Sequence, residues 1–162
     1  MSDQPTDYVS LREITADTVR AVTDLAVSES QRNFVASNAV SLAQALFSPE
    51  AWYRAIYAGE ELTGFVMLYD ESLRVPRPDS PQVAVWRLMI DARYQGRGIG
   101  RAAMQQVIDH VKAMHCFRSL ELSYVPGPGC AERFYLGLGF RHTGKVEKGE
   151  VVLEMPLLDT AA

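Results

Sequence analysis

The chain has 162 residues, of which 48% are hydrophobic and 22% charged. This size and balance are typical of one globular domain, residues 1–162, with a substantial buried core. Its formal net charge of −4 and its lack of a basic tract argue against nucleic acid as a partner, since nothing would neutralise a phosphate backbone. The apolar runs are shorter than the roughly 20 residues of a membrane span, so we expect no membrane partner. The first residues are polar and the chain has only two cysteines, which indicates a cytoplasmic protein without a disulfide framework.

The first third of the chain predicts one strand followed by two helices. Alternating apolar residues indicate the strand, and apolar residues at helical spacing indicate both helices. Thr15 or Asp17 can cap the first helix, and Ser37 or Asn38 can cap the second. The predicted elements are a strand at residues 8–14, a helix with its apolar positions at residues 19–26, and a helix at residues 38–46.

The remaining two thirds combine strands and helices in a less regular order. A turn at Gly59 joins two strands into a hairpin, and three prolines place a loop at residues 71–81. A glycine-rich turn separates a strand from the longest helix, and Pro126 and Pro128 break the chain before a short helix. The predicted strands span residues 52–58, 62–69, 83–90, 118–124, 140–146 and 151–157, and the predicted helices span residues 99–114 and 131–138.

This order of elements favours an α+β fold. Strands joined by short turns are antiparallel, whereas the strand–helix–strand crossover within residues 83–124 requires a parallel pair. We therefore expect a mixed, mostly antiparallel twisted sheet of about seven strands with helices on both faces. The order lacks the regular alternation of a doubly wound fold.

The turn at residues 95–101, Gln-Gly-Arg-Gly-Ile-Gly-Arg, carries the clearest functional signal. Glycines at alternate positions between a strand and a helix leave backbone N–H groups unshielded, and the helix dipole adds positive potential there. The turn therefore predicts a phosphate or pyrophosphate site. It lacks the Lys-Ser/Thr pair of the nucleotide-triphosphate loop, and Arg101 stands where the dinucleotide fingerprint needs its third glycine.

Two segments of the chain resemble a known family. Gln95, Gly98 and Gly100 match the pattern Gln/Arg-x-x-Gly-x-Gly/Ala, and residues 131–140 place Tyr135 on a helix that ends in Gly-Phe. In these segments and in its order of elements the chain resembles the GNAT superfamily, the Gcn5-related N-acetyltransferases that bind acetyl-coenzyme A. The resemblance extends along nearly the whole chain. It implies the GNAT fold and acetyl-CoA as cosubstrate, and it makes a homodimer an expectation, since the family often dimerises.

The resemblance also implies roles for particular residues. Backbone amides of the glycine turn would hold the pyrophosphate, and the strand before it would pair with the pantetheine beside a β-bulge. Tyr135 would give a proton to the departing thiolate, and the Leu88 N–H would polarise the acetyl carbonyl. The implied catalytic residues are Tyr135 and Leu88, and the implied cofactor-binding residues are Leu88, Ile90, Gln95, Gly96, Arg97, Gly98, Ile99, Gly100, Arg101 and Tyr135.

The general base stays open at this point. Some relatives of the histone-acetylating type have a glutamate four residues before the Leu88 position, where this chain has Ala84. A water chain that reaches Glu29, Glu121 or a backbone carbonyl is expected instead. Pro128 replaces an asparagine that the family usually has ahead of the second segment, which makes that loop stiffer. No metal-ligand spacing occurs, so we expect no metal.

The acceptor is expected to be a small-molecule amine. Residues 30–43, 54–57, 64–67, 143–144 and 149–154 resemble the corresponding parts of bacterial spermine/spermidine acetyltransferases. A polyamine needs carboxylates along a slot and aromatic faces for its methylene and ammonium groups. The substrate-binding candidates are Glu29, Trp86 and Tyr124, with Glu121, Glu132, Glu147 and Glu150 as further carboxylates. Another amine (an aminoglycoside-like antibiotic, an amino acid or a protein amino terminus) and a coenzyme A-binding module without turnover stay open as alternatives.

Overall fold

The structure is a computed structural model that describes residues 8–32 and 34–158. These residues form seven strands, β1 Val9–Arg12, β2 Ala51–Ala58, β3 Glu61–Asp70, β4 Val83–Ile90, β5 Ser119–Tyr124, β6 Arg141–Glu147 and β7 Glu150–Pro156. They also form four α-helices, α1 Val19–Asp24, α2 Asn38–Ala45, α3 Ile99–Ala113 and α4 Glu132–Gly137. Across the described residues, every helix falls short of the length and hydrophobicity that a membrane crossing requires.

The strands lie in one sheet in the order β1-β2-β3-β4-β5-β7-β6. All neighbours pair antiparallel except β4 and β5, which are parallel and are joined by the crossover helix α3. The α+β fold class, the mostly antiparallel sheet and the order of elements predicted from the sequence are therefore confirmed.

Different helices cover the two faces of the sheet. One core cluster packs α3 and Tyr135 of α4 against Val85 of β4 and Leu122 of β5. The other packs Val22 of α1 and its neighbours in α2 against Phe65 of β3. Among the described residues this second cluster includes none from β5, β6 or β7. Side chains alternate between the faces of a strand, so those strands present a face that none of the four helices described above covers.

The ends of the elements differ slightly from their predicted positions. The first helix begins at Val19 because the Thr15 N–H donates to Thr18 Oγ1 at 2.9 Å and closes a turn ahead of it. The second is capped by Ser37, whose side chain accepts from the Val40 N–H at 3.2 Å. Three short 3₁₀ turns that lie wholly within the described residues were not predicted, because three residues are too few to establish a period. They are Glu29–Gln31, Glu71–Leu73 and Ala92–Tyr94.

The parallel pair in the middle of the sheet separates after three residue pairs. β5 pairs with β4 only at residues 83–85, although β4 continues to Ile90. Trp86 is an extra residue in β4, because its neighbours Val85 and Arg87 lie opposite consecutive residues of β3. Such a bulge bends and twists its strand. A gap therefore opens between the second half of β4 and β5, as the sequence comparison with the family led us to expect.

Candidate functional site

The glycine turn leaves a row of backbone N–H groups open at the start of α3. Gly96 and Gly98 have φ values of 77° and 78°, and a Cβ at either position would meet no atom within 4 Å. Gly98 ends the turn, and its carbonyl accepts the first helical hydrogen bond from Ala102 at 3.1 Å. In the part of the chain that the structure describes, the N–H groups of residues 96–101 have no acceptor. A pyrophosphate fits this arrangement of donors, dipole and open space.

The long side chains of the turn contact the protein. Gln95 Nε2 donates to the Ile90 carbonyl at 2.9 Å, which fastens the turn to the end of β4. Arg101 Nη1 donates to the Gly137 carbonyl of α4 at 3.3 Å, and the Arg97 guanidinium lies 5.5 Å from the centre of the Tyr94 ring. The turn therefore offers its backbone for anion binding, while Gln95 and Arg101 link it to β4 and α4.

The free edge of β4 is formed by the backbone of Leu88 and Ile90. The Asp91 N–H donates to the Thr63 carbonyl of β3 at 2.8 Å. Backbone groups along an antiparallel strand point alternately to either side, so those of Met89 also face β3 and those of Leu88 and Ile90 face the gap. The bond from the Gln95 side chain to the Ile90 carbonyl agrees with this direction. An extended ligand can therefore pair with β4 where β5 is missing.

Tyr135 lies on α4 at the far side of the gap. Its side chain is 8% exposed and packs edge-on against Phe134 and Phe140, with ring centres 5.1 and 5.7 Å away. Burial raises the pKa of the phenol well above its usual value, because the charged form is poorly solvated there. No hydrogen bond of its hydroxyl group is found among the described residues, so the group is free to act on a ligand.

A cleft of about 430 Å³ lies at the gap and extends across the uncovered face of the sheet. Leu88 and Tyr135 lie on its wall together with Trp86 and Tyr124. The structure thus brings four of the predicted site residues into one cavity. Glu29 is not among the lining residues: it is exposed in the turn before residues 34–36, which do line the cleft.

Three further carboxylates, Glu121, Glu147 and Glu150, line the cleft. Glu147 lies directly opposite Glu150 in the β6–β7 pair, and like charges in that position repel each other. Ser123 Oγ donates to Glu150 Oε2 at 3.2 Å. None of the ion pairs found among the described residues involves these three carboxylates. The cleft therefore presents net negative charge.

Arg87 also lines the cleft, and sequence reasoning missed it. Its guanidinium donates to the Trp86 carbonyl at 2.9 Å and to Gln44 Oε1 of α2 at 3.2 Å, while its buried Nε has no partner among the described residues. Burial lowers the pKa of Arg87, and the charge of Glu150 partly opposes that shift. The sequence signal for Arg87 was its position directly before Leu88. The bulge at Trp86, however, decides on which face of the sheet the Arg87 side chain lies.

None of the described histidines lines the cleft. His142 pairs with Glu132 at 3.0 Å outside the cleft, and His110 stacks on Trp52 with ring centres 4.6 Å apart. Across residues 8–32 and 34–158, no three His, Cys, Asp or Glu residues are grouped as metal ligands.

The chain matches the family model described as Acetyltransferase (GNAT) family over residues 19–140. Because this match spans well over half of the chain, the protein belongs to the GNAT acetyltransferase family. Members of this family transfer an acetyl group from acetyl-CoA, so the chain is an N-acetyltransferase and acetyl-CoA is its cosubstrate.

Individual relatives agree with this assignment. The spermine/spermidine N(1)-acetyltransferase of Bacillus subtilis (strain 168) is 31% identical over 157 residues, which cover 90% of this chain and 96% of the relative. The aminoglycoside acetyltransferase AAC(6')-Ib in complex with coenzyme A has a TM-score of 0.74 at 14% identity and covers 91% of this chain and 94% of its own. The PaiA N-acetyltransferase of Thermoplasma acidophilum, also with coenzyme A, has a TM-score of 0.67 at 13% identity, with coverage of 91% and 98%. The two solved structures share the fold.

Proposed function

We propose that the acceptor of this N-acetyltransferase is a polyamine such as spermidine or spermine, acetylated on a primary amine. The observation that carries the proposal is the cleft, which joins Tyr135 and the free edge of β4 to Glu121, Glu147 and Glu150. Three carboxylates against the single arginine among the described residues of the cleft wall, Arg87, attract an acceptor with several ammonium groups. The 31% identity with a spermine/spermidine N(1)-acetyltransferase supports the same choice.

The described residues fit coenzyme A. We assign the N–H groups of residues 96–101 to the pyrophosphate, because they lack acceptors and no side chain occupies the space beside Gly96 and Gly98. The Leu88 carbonyl and the Ile90 N–H would pair with the pantetheine amides. When bound, acetyl-CoA supplies an acetyl thioester that the neutral amine of the acceptor attacks.

Tyr135 acts on the sulfur of the thioester, and Leu88 acts on its carbonyl group. As the nitrogen–carbon bond forms and the carbon–sulfur bond breaks, the Tyr135 phenol gives its proton to the sulfur. The attacking nitrogen then releases the proton that the amide does not keep, and this proton restores the phenol. The raised pKa of Tyr135 keeps the phenol protonated beforehand. The same poor solvation also penalises a bare thiolate, so its proton affinity rises with that of the phenol. The Leu88 N–H faces the gap, where it can stabilise negative charge on the carbonyl oxygen.

Glu121 is our choice for the group that removes the ammonium proton. In the parallel pair Glu121 lies directly beside Ala84, so both side chains project from the same face of the sheet, about 4.8 Å apart at the backbone. A carboxylate on β5 thus lies next to the place where some relatives have one on β4. Of the three cleft carboxylates it is on the strand nearest to Leu88. An alkylammonium with a pKa of about 10 needs such a base at neutral pH.

The remaining cleft residues would hold the acceptor along its length. Trp86 and Tyr124 offer aromatic faces for methylene and ammonium groups. Glu147 and Glu150 would bind an ammonium group that does not react. Glu29 does not line the cleft, so its position does not support direct contact with the acceptor.

The test is an acetyl-transfer assay that follows CoA release with spermidine, spermine, simple diamines, aminoglycosides and amino acids. We expect the polyamines to give the highest kcat/KM. Tyr135→Phe should lower kcat by about 100-fold and leave the dissociation constant of CoA, measured by calorimetry, nearly unchanged. Binding of acetyl-CoA without turnover of any amine would contradict the enzymatic role, and a clear preference for another amine class would contradict the choice of polyamine.

A further inference from the structure

The segment between α1 and α2 connects the glycine turn to the acceptor cleft. After α1 ends at Asp24, residues 25–32 contain only the 3₁₀ turn Glu29–Gln31. Residues 34–36, shortly after that turn, line the cleft. The position of this part of the cleft wall therefore depends on what holds residues 25–32.

A buried carboxylate provides the first anchor for the segment. Asp91 is 4% exposed, and its Oδ2 accepts from the Ala26 N–H at 3.0 Å. The Ala92 N–H donates in return to the Ala26 carbonyl at 3.0 Å. Hydrogen bonds of this kind at a buried charge are strong. This anchor fixes the start of the segment to the end of β4.

The second anchor is a hydrogen bond between two glutamines at the surface. Gln95 Nε2 donates to Gln31 Oε1 at 2.8 Å and to the Ile90 carbonyl at 2.9 Å. Gln31 Oε1 also accepts from Ser28 Oγ at 3.2 Å. Gln95 is exposed and is the first residue of the glycine turn. Ordering two long side chains, one exposed and one half-buried, costs entropy that offsets most of one hydrogen bond, so this anchor is weak as long as the turn can move.

A ligand on the glycine turn would change the strength of the second anchor. Gly96 and Gly98 give the turn conformational freedom, and the N–H groups that follow have no acceptor among the described residues. An anion bound to those groups would fix the turn, and with it Gln95. Because the anion would already have ordered Gln95, formation of the bond to Gln31 would cost less conformational entropy.

We propose that the Gln95–Gln31 hydrogen bond couples the donor site to the acceptor cleft, with Gln31 as a positioning residue. Occupation of the glycine turn by CoA strengthens acceptor binding, and the acceptor strengthens CoA binding by the same factor. This proposal rests on the proposed function for the identity of the acceptor. Because one exposed hydrogen bond carries the coupling, we expect the change in affinity to lie at the low end of the range for coupled sites, about fivefold.

Calorimetry on the full chain tests the coupling without turnover. The dissociation constant of spermidine is measured with and without CoA, and that of CoA with and without spermidine. In the wild type both should fall about fivefold when the other ligand is present. Gln31→Met has nearly the same shape but only a weak sulfur acceptor, so the factor should drop to about one. CoA alone should bind slightly more weakly to this variant, because a bond that CoA strengthens also strengthens CoA binding. Gln31→Glu keeps an acceptor oxygen and should retain the coupling. Arg32→Gln is the neighbouring control, since Arg32 lies outside the hydrogen bonds that join Ser28, Ser30 and Gln31.

Hydrogen exchange gives a second readout that does not need an acceptor. CoA alone should slow exchange of the amides in residues 26–31 of the wild type and not of Gln31→Met. Independent binding of the two ligands to the wild type, or full coupling in Gln31→Met, would overturn the proposal. If spermidine did not bind at all, the polyamine assignment would fail and the exchange result with CoA would decide the coupling. Absence of CoA binding would overturn both.

Discussion

At the scale of single residues, the surroundings of each carboxylate decide what it does. Asp91 is buried and accepts from the Ala26 N–H, the Arg93 N–H and the Arg93 side chain. Glu121 and Glu150 lie in an open cleft without an ion pair among the described residues. The first arrangement stabilises the fold, whereas the second leaves charge available to a ligand.

Glu121→Gln should separate proton removal from binding. At pH 7 we expect kcat/KM for spermidine to fall about 100-fold, because no carboxylate takes the ammonium proton. The loss should shrink as the pH approaches about 10, where free amine becomes abundant. The measurement is a pH profile of kcat/KM for both proteins. Glu147→Gln is the control, since a lost binding charge does not return at high pH, and a pH-independent loss in Glu121→Gln would rule out the role as base.

Asp91→Asn should lower stability in a pH-dependent way. Burial alone would raise the pKa of Asp91, but the hydrogen bonds from Arg93 and Ala26 outweigh it and hold that pKa below the usual value. The ionised carboxylate therefore stabilises the fold at pH values above about 3.9, the pKa of an aspartate in the unfolded chain. This stabilisation is lost as the pH falls through the lower pKa that Asp91 has in the folded protein. Urea unfolding should give a deficit of about 1–2 kcal/mol at pH 7. The deficit should narrow below about pH 4, and an equal deficit at all pH values would contradict the argument.

At the scale of elements, local patterns in the sequence were enough to place the helices and strands. α3 and β4 were predicted almost to the residue, because their apolar spacing is long and regular. The bulge at Trp86 was expected only through resemblance to a family. Its position depends on how β4 pairs with β3, and pairing between distant strands leaves no local signal.

The glycine turn allows a matched test of two glycines that look alike in the sequence. Gly98 has a φ of 78°, which is unfavourable for a side chain, although space is open around it. A Cβ at Gly100 would lie 3.5 Å from the nearest Ile90 atom, an ordinary contact, within α3. Gly98→Ala should therefore lower the free energy of unfolding by about 1 kcal/mol, and Gly100→Ala should leave it equal or raise it by up to about 0.5 kcal/mol. Denaturant melts without ligand measure both, and similar losses in the two variants would contradict the assignment.

The site was predictable from the sequence only in part. Tyr135, Leu88, Trp86 and Tyr124 meet in one cleft, as their places on predicted elements suggested. Glu29 does not reach the cleft wall, and Arg87 does. Both differences arise from tertiary geometry: the short turn at Glu29–Gln31 directs Glu29 to solvent, and the bulge decides the face on which Arg87 lies.

At the scale of the whole molecule, the gap between β4 and β5 connects two faces with different chemistry. The face toward α3 and α4 carries Tyr135 and belongs to the main core cluster. No helix of the described residues covers the other face of β5, β7 and β6, which carries the cleft carboxylates. The donor can therefore enter from one side and the acceptor from the other, and the two would meet at the free edge of Leu88.

This arrangement predicts that the enzyme recognises a second ammonium group at a distance from the reacting amine. Glu150 lies two strands away from β4, roughly 10 Å, so kcat/KM should be higher for spermidine than for butylamine and should fall as salt screens the attraction. Glu147→Gln and Glu150→Gln should each lower kcat/KM for spermidine about threefold and leave butylamine nearly unchanged. Glu154→Gln is the matched control, because Glu154 lies on the same strand but pairs with Arg141 at 3.3 Å. Equal effects on spermidine and butylamine would show that these carboxylates do not bind the distant ammonium group.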